Sequence, residues 1–333
     1  MPTSRLYQVL QQQRAALLAR ERGAASDMVR VYGQVWTRLR SELDGLLEGY
    51  ARALADGEDV SGWLYRQERF ETLLRQTQTE LKRFAQYADS SVREQQSAAV
   101  EAALRDAQAQ VRAIGNTAGA SFAWTQLPSD VLEDLVGFAS NGSPLRELLD
   151  RLGQDASERI RQGLADGIAQ GLNPEQVASQ VRDAFGGDLV RALRVSRTET
   201  LRAYREATRR SYEGNSDVID QWVWICACTP RSCAACWAMS GTLHPLTEQL
   251  ESHPNCRCSM GPVVKGTGQW LPQAGDEQFA KLEEGAQKSI LGPLYDLYQT
   301  GQIKLADVVR ERFDPDWGLA RTVKPLSAFK ERA

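Results

Sequence analysis

The chain has 333 residues, 42% of them hydrophobic and 25% charged, with a formal net charge of −3. That length allows two or more domains, and the composition is ordinary for a globular protein. The acidic balance excludes a protein that coats nucleic acid along its whole surface, and no apolar run approaches the ~18 residues needed to span a bilayer.

The opening stretch MPTSRLYQVLQQQR lacks the apolar core of a secretory signal, so folding in a reducing cytoplasm is expected. Val35, Trp36, Leu39, Leu43, Leu46, Leu47, Tyr50 and Leu54 then recur at helical steps, which places them on one face of a helix. ADGEDVSG, from Ala55 to Gly62, interrupts the pattern as a connection. A second helical run carries Phe70, Leu73, Leu74, Leu81, Phe84, Val92, Val100, Leu104, Val111 and Ile114, and no proline lies between Thr3 and Leu127. Two such helices, each roughly 60–75 Å long at the helical rise, form a long antiparallel hairpin. Its stripes account for packing of one helix on the other. A projecting arm that docks on a partner assembly is the functional reading.

GNTAGAS, from Gly115 to Ser121, marks a boundary. Shorter helices follow. One has Ser129 as N-cap ahead of Val131, Leu132 and Leu135, and a second carries Leu145, Leu148, Leu149 and Leu152. A third ends at Gly171, and the next begins with Asn173 as N-cap and Pro174 at the first helical position. A further helix from about Asp188 to Tyr212 puts Val190, Leu193, Arg197, Leu201, Tyr204 and Tyr212 on one seam. Arg197 there must reach water or find a carboxylate. Arg191, Arg194, Arg202, Arg205, Arg209 and Arg210 make this helix basic, and Arg194, Arg202 and Arg205 are candidate phosphate contacts.

The stretch DVIDQWVWICAC alternates as a strand does. It opens a window that holds all six cysteines and both histidines, with the spacing C-x2-C-x16-H-x2-C-x-C from Cys233. Two ligands separated by two residues reach one ion from a tight turn, and two such pairs complete a tetrahedron. The sequence points to Cys233, Cys236 and Cys256 plus either His253 or Cys258 as ligands of a structural Zn2+. A closed four-ligand site leaves no position for reacting water. A disulfide framework needs an oxidising compartment, and a redox C-x-x-C belongs near a βαβ pattern that this sequence lacks. Cys226 and Cys228 share a face and offer a partial second site, but the preferred reading is buried small hydrophobes, and His244 reads as a loop residue.

The ordered set SRTETLRAYREA, RSCAAC and HPNCRC followed by PVV resembles the phage head morphogenesis family, the minor head proteins of the phage Mu F and SPP1 type. The likeness covers roughly 127–264. The stretch from Gln287 to Val309 looks like the C-terminal extension of many relatives. The resemblance implies a virion protein at the portal vertex of the capsid. Such proteins are assembled in the host bacterial cytoplasm, bind the portal protein, and assist head assembly and the packaging, retention or delivery of DNA. Major capsid or scaffolding protein and packaged double-stranded DNA are further partners it suggests, and no membrane. It marks Arg197, Thr198 and Glu199 as the signature helix, and Cys233, Cys236, His253, Cys256 and Cys258 as the cysteine–histidine signature. Relatives often carry an acidic residue where Thr229 stands, which weakens any chemistry based on a carboxylate in that turn.

The expected fold is mainly α. Residues 1–120 form the helical hairpin arm and 121–214 a helical middle. Residues 215–265 form a small α+β cysteine/histidine module with short strands, zinc-stapled, and 266–333 a C-terminal helical extension. The expected role is structural, not enzymatic. The alternatives are a metal-dependent nuclease of the HNH kind, with His244 as its remaining base, and a DNA-binding module built on the zinc unit and the basic helix.

Overall fold

The structure, a computed structural model, describes residues 5–60, 62–139, 142–267 and 274–330. The side chains of Ser129, Val131 and Leu152 lie outside the described residues. Two helices of 51 residues each open the chain, α1 (Arg5–Ala55) and α2 (Glu68–Ala118). Gly57 and Gly62, at φ 69° and 67°, make the turn between them possible, because left-handed backbone suits glycine. No helix among the described residues is long and apolar enough to cross a membrane.

The chain divides into two compact units, each built from segments distant in sequence. One comprises Arg20–Gln95 and Gly137–Arg197, the other Met1–Ala19, Gln96–Val136 and Thr198–Ala333. In the first, α1 and α2 run antiparallel, with Arg38 Nε donating to Glu80 Oε2 at 2.7 Å and Tyr32 set edge-on to Phe84. Helix α3 (Leu145–Ala169) buries Leu145, Leu148, Leu149, Ile160 and Leu164. Helix α4 (Pro174–Glu213) starts as expected: Asn173 Oδ1 accepts from the Gln176 amide, and Gln176 Oε1 accepts from the Asn173 amide. Phe185 of α4 stacks on Tyr32, whose hydroxyl donates to the Phe185 carbonyl at 2.7 Å.

The sequence divides α4 at the Gly186–Gly187 pair, but the helix runs through it. Each glycine costs about 1 kcal/mol against alanine, too little to end a helix buried on both sides of the pair. Val190 is another correction. It is 57% exposed, because this part of α4 buries the opposite face, with Asp188, Ala192 and Val195.

In the second unit, the remaining parts of α1 and α2 are again antiparallel, joined by Gln110 Nε2 donating to Gln13 Oε1 at 2.7 Å. Leu6, Leu10, Val111 and Ile114 pack on a three-stranded sheet of order β2-β1-β3. Strand β1 (Ile219–Ile225) lies between β2 (Leu243–Pro245) and β3 (Ser259–Val264), antiparallel to both. Trp222, Val223, Trp224 and Ile225 are all buried, so both faces of β1 are covered. The first turn of the short helix α5 (Ala234–Met239) buries Ala234, Ala235, Cys236 and Trp237. Pro128, rather than Ser129, takes the N-cap position of the 3-10 turn at Ser129–Leu135.

The C-terminal segment is not wholly helical. Helices α6 (Gly275–Phe279), α7 (Glu284–Leu291) and α8 (Tyr295–Gln299) place Phe279, Leu291 and Tyr295 in a core with Trp237. A hairpin follows, β4 (Val309–Asp314) and β5 (Gly318–Val323), turned at Asp314–Gly318. Its β-branched ends and its Asp-Pro-Asp turn favour that structure over helix.

Candidate metal centre

Each potential donor has its place because a local backbone feature puts it there. Cys233 is the N-cap of α5, and its sulfur accepts from the Cys236 amide at 3.4 Å. The helical turn then carries Cys236 to the same side. From the other end of the window, Asn255 adopts φ 65°, a conformation asparagine tolerates. This tightens the turn in which the Cys256 amide donates to the His253 carbonyl at 3.1 Å. Cys256 and Cys258 lie in the loop just before β3, not on a strand.

The two turns meet. His253 Nε2 lies 3.2 Å from Cys233 Sγ and 3.3 Å from Cys236 Sγ, and Cys236 Sγ lies 3.7 Å from Cys256 Sγ. The donor atoms of Cys233, Cys236 and His253 are within 4.8 Å of one another, as are those of Cys236, Cys256 and Cys258. These groups could hold a metal ion. Hydrogen bonding from Cys236, reinforced by His253, holds the Cys233 thiol down to about 5 despite burial. A thiol that sheds its proton this readily is a thiolate at neutral pH, the form that binds metal. All six cysteines are free thiols, and among them only Cys228 and Cys233 are not fully buried.

The RTE stretch of α4 divides its tasks. Arg197 Nη2 reaches Glu21 Oε1 at 2.6 Å, and the Glu21 side chain is buried. The seam arginine thus has its carboxylate, an ion pair across 176 residues. Arg197→Ala leaves that carboxylate buried without its cation, and a loss of about 3–5 kcal/mol is expected in urea unfolding. Adding Glu21→Ala to it is expected to cost much less than the two single losses summed. Thr198 Oγ1 accepts the Asn255 amide at 3.1 Å and so anchors the donor-bearing loop to the helix. Glu199 is buried, with Arg202 Nη1 3.7 Å from its carboxylate.

Arg205 differs most from its expected place. It is 5% exposed, and its guanidinium donates to the Cys258 carbonyl at 2.8 Å, the Cys256 carbonyl at 2.7 Å and Ser252 Oγ at 2.7 Å. It clamps the loop instead of facing phosphate. Arg202 Nη2 donates to the Trp317 carbonyl at 2.9 Å, and Arg194 stays exposed. The sequence held a signal for Arg205. It falls about 40° from Leu201 on the helical wheel, on the buried face.

His244 is not a free loop residue. It pairs across from Trp222 in the sheet and stacks on its ring at 4.2 Å. Its Nδ1 engages Glu248 Oε1 at 3.0 Å and its Nε2 engages Thr242 Oγ1 at 2.8 Å. Burial holds this imidazole below the ordinary histidine range, against the pull of Glu248. As pH falls, the unfolded chain takes up the proton first. The stability from this ring is therefore complete above the ordinary pKa of ~6.5 and declines as pH drops through it. Thermal midpoints at about pH 7.5 and about pH 5.5 are expected to differ more in the wild type than in His244→Gln.

No curated protein matches the chain, and no solved structure matches it. Residues 158–261 match the family model described as Phage Mu protein F like protein. The matched stretch holds the second half of α3, all of α4, the whole cysteine–histidine window and the start of β3. Over that stretch, and not over the chain as a whole, the protein is similar to the phage head morphogenesis family of the Mu F type.

Proposed function

We propose that this protein is a minor head protein at the portal vertex of a phage capsid, where it binds the portal and assists head assembly and DNA packaging, retention or delivery. The observation that carries this reading is that the matched stretch encloses the donor cluster and the arginine that clamps it. Family members are head components, so partners in the head and a place in the virion follow, with assembly in the host cytoplasm. The cluster serves as a structural zinc staple in Cys233, Cys236, Cys256 and His253 or Cys258. It holds together a module too small to bury a large core of its own.

Co-expression with the portal protein of the same phage tests the reading. A stable complex on gel filtration is expected, and separate elution of two intact proteins overturns it. The nuclease alternative draws no support from the geometry. Both ring nitrogens of His244 are engaged and its ring is buried under Trp222, while His253 sits among thiols. With magnesium or manganese added, His244→Ala is expected to leave plasmid DNA as intact as the wild type does. The same variant is expected to lose about 2–3 kcal/mol of stability from the vacated stack.

A further inference from the structure

Apart from His244, whose two ring nitrogens are engaged by Thr242 and Glu248, the window holds seven soft donors, and a single tetrahedral ion uses four. The other three do not scatter. Cys226 and Cys258 stand just beyond the last pair of the β1–β3 ladder, Ile225 and Ser259, and share one core cluster with Cys236 and Cys256, against which Cys228 packs. The donors thus lie in one patch that runs from Cys233 and His253, through Cys236, Cys256 and Cys258, to Cys226 and Cys228. Two tetrahedral ions have eight coordination positions. Seven donors fill them if one thiolate is shared, and Cys236 belongs to both sets of mutually close donors.

Two further observations agree. Cys228 adopts φ 50°, left-handed backbone that a non-glycine residue seldom holds without a reason. There its amide donates to Cys226 Sγ at 3.2 Å, folding the end of the strand back on itself. Charge also balances. Six thiolates and two divalent ions sum to −2, and two cations lie beside the cluster: Arg205 on the Cys256 and Cys258 carbonyls, and Arg14 lining a small cavity with Arg205 and Cys258.

We infer that the window binds two zinc ions, not one, in a thiolate-bridged pair. Cys233, Cys236, His253 and Cys256 hold the first, and Cys226, Cys228 and Cys258 with the shared Cys236 hold the second. This rests on the zinc-staple reading above, and the test separates the two. Protein purified under reducing conditions is weighed by native mass spectrometry and assayed for zinc. Two zinc ions per chain are expected. One ion per chain overturns the pair and leaves the single staple standing, and none overturns both. Cadmium-113 substituted into the wild type is expected to give two resonances coupled through the shared sulfur, and one resonance overturns the inference. Cys226→Ser with Cys228→Ser is expected to lower the content from two ions to one with the fold retained. Two ions in that variant would exclude these residues as ligands. The wild-type count does not depend on whether the variant folds.

Discussion

Removing the metal under reducing conditions with a strong chelator is expected to lower the thermal midpoint by about 10 °C or more. An ion that binds the native state far below its working concentration stabilises by about 4 kcal/mol or more, and for a chain of this size each kcal/mol moves the midpoint by about 2–4 °C. The donors come from separate turns that lack another bond of comparable strength between them. Without the ion, buried sulfurs 3.7 Å apart have only weak hydrogen bonds to offer each other. Cys236→Ser is expected to reproduce most of this loss, since Cys236 touches His253 and Cys256 alike. Differential scanning calorimetry before and after chelation, with zinc added back, measures it. An unchanged midpoint would show that the cluster contributes no staple.

Arg205→Ala is expected to be, with Arg197→Ala, among the most damaging single substitutions outside the cluster. It strands two buried backbone carbonyls and one hydroxyl that now accept from the guanidinium. Each buried acceptor left without a donor costs about 1–3 kcal/mol, so a loss of about 3–5 kcal/mol in urea unfolding is expected. Lysine has no planar fork that reaches three acceptors in different directions, and Arg205→Lys is expected to recover less than half of that loss. The loop it clamps carries Cys256 and Cys258, so zinc is expected to leave this variant faster when challenged with a chromogenic chelator. A variant with normal stability and normal zinc release would sink the clamp.

Much of this was legible in the sequence for a physical reason. A buried helix face repeats every three or four residues, and the stripes of α1 and α2 are long enough to be unambiguous. The cysteine–histidine spacing was legible because ligand geometry allows few alternatives. What could not be read was which face of α4 meets which neighbour. Val190 and Leu201 share a side of the helix, yet one is exposed and the other buried, because the buried face changes along its length. Arg205 was missed for the same reason: charge suggested the surface, and only the fold shows three acceptors converging on it. Cys226 and Cys228 read as small hydrophobes, and both pack with the core of the sheet. Leu54, counted in the first stripe, is 37% exposed where α1 nears its terminus.

The ladder between β1 and β3 ends at the pair Ile225 and Ser259. The next residue outward on one strand is Cys226, and Cys258 is its counterpart on the other. Zippering these strands therefore delivers two sulfurs to one another before any ion arrives. The entropy of closing the 31 positions between Cys226 and Cys258 is spent on strand pairing, not on ligation. A metal held by this cluster would therefore meet two of its cysteines already set opposite one another by the sheet.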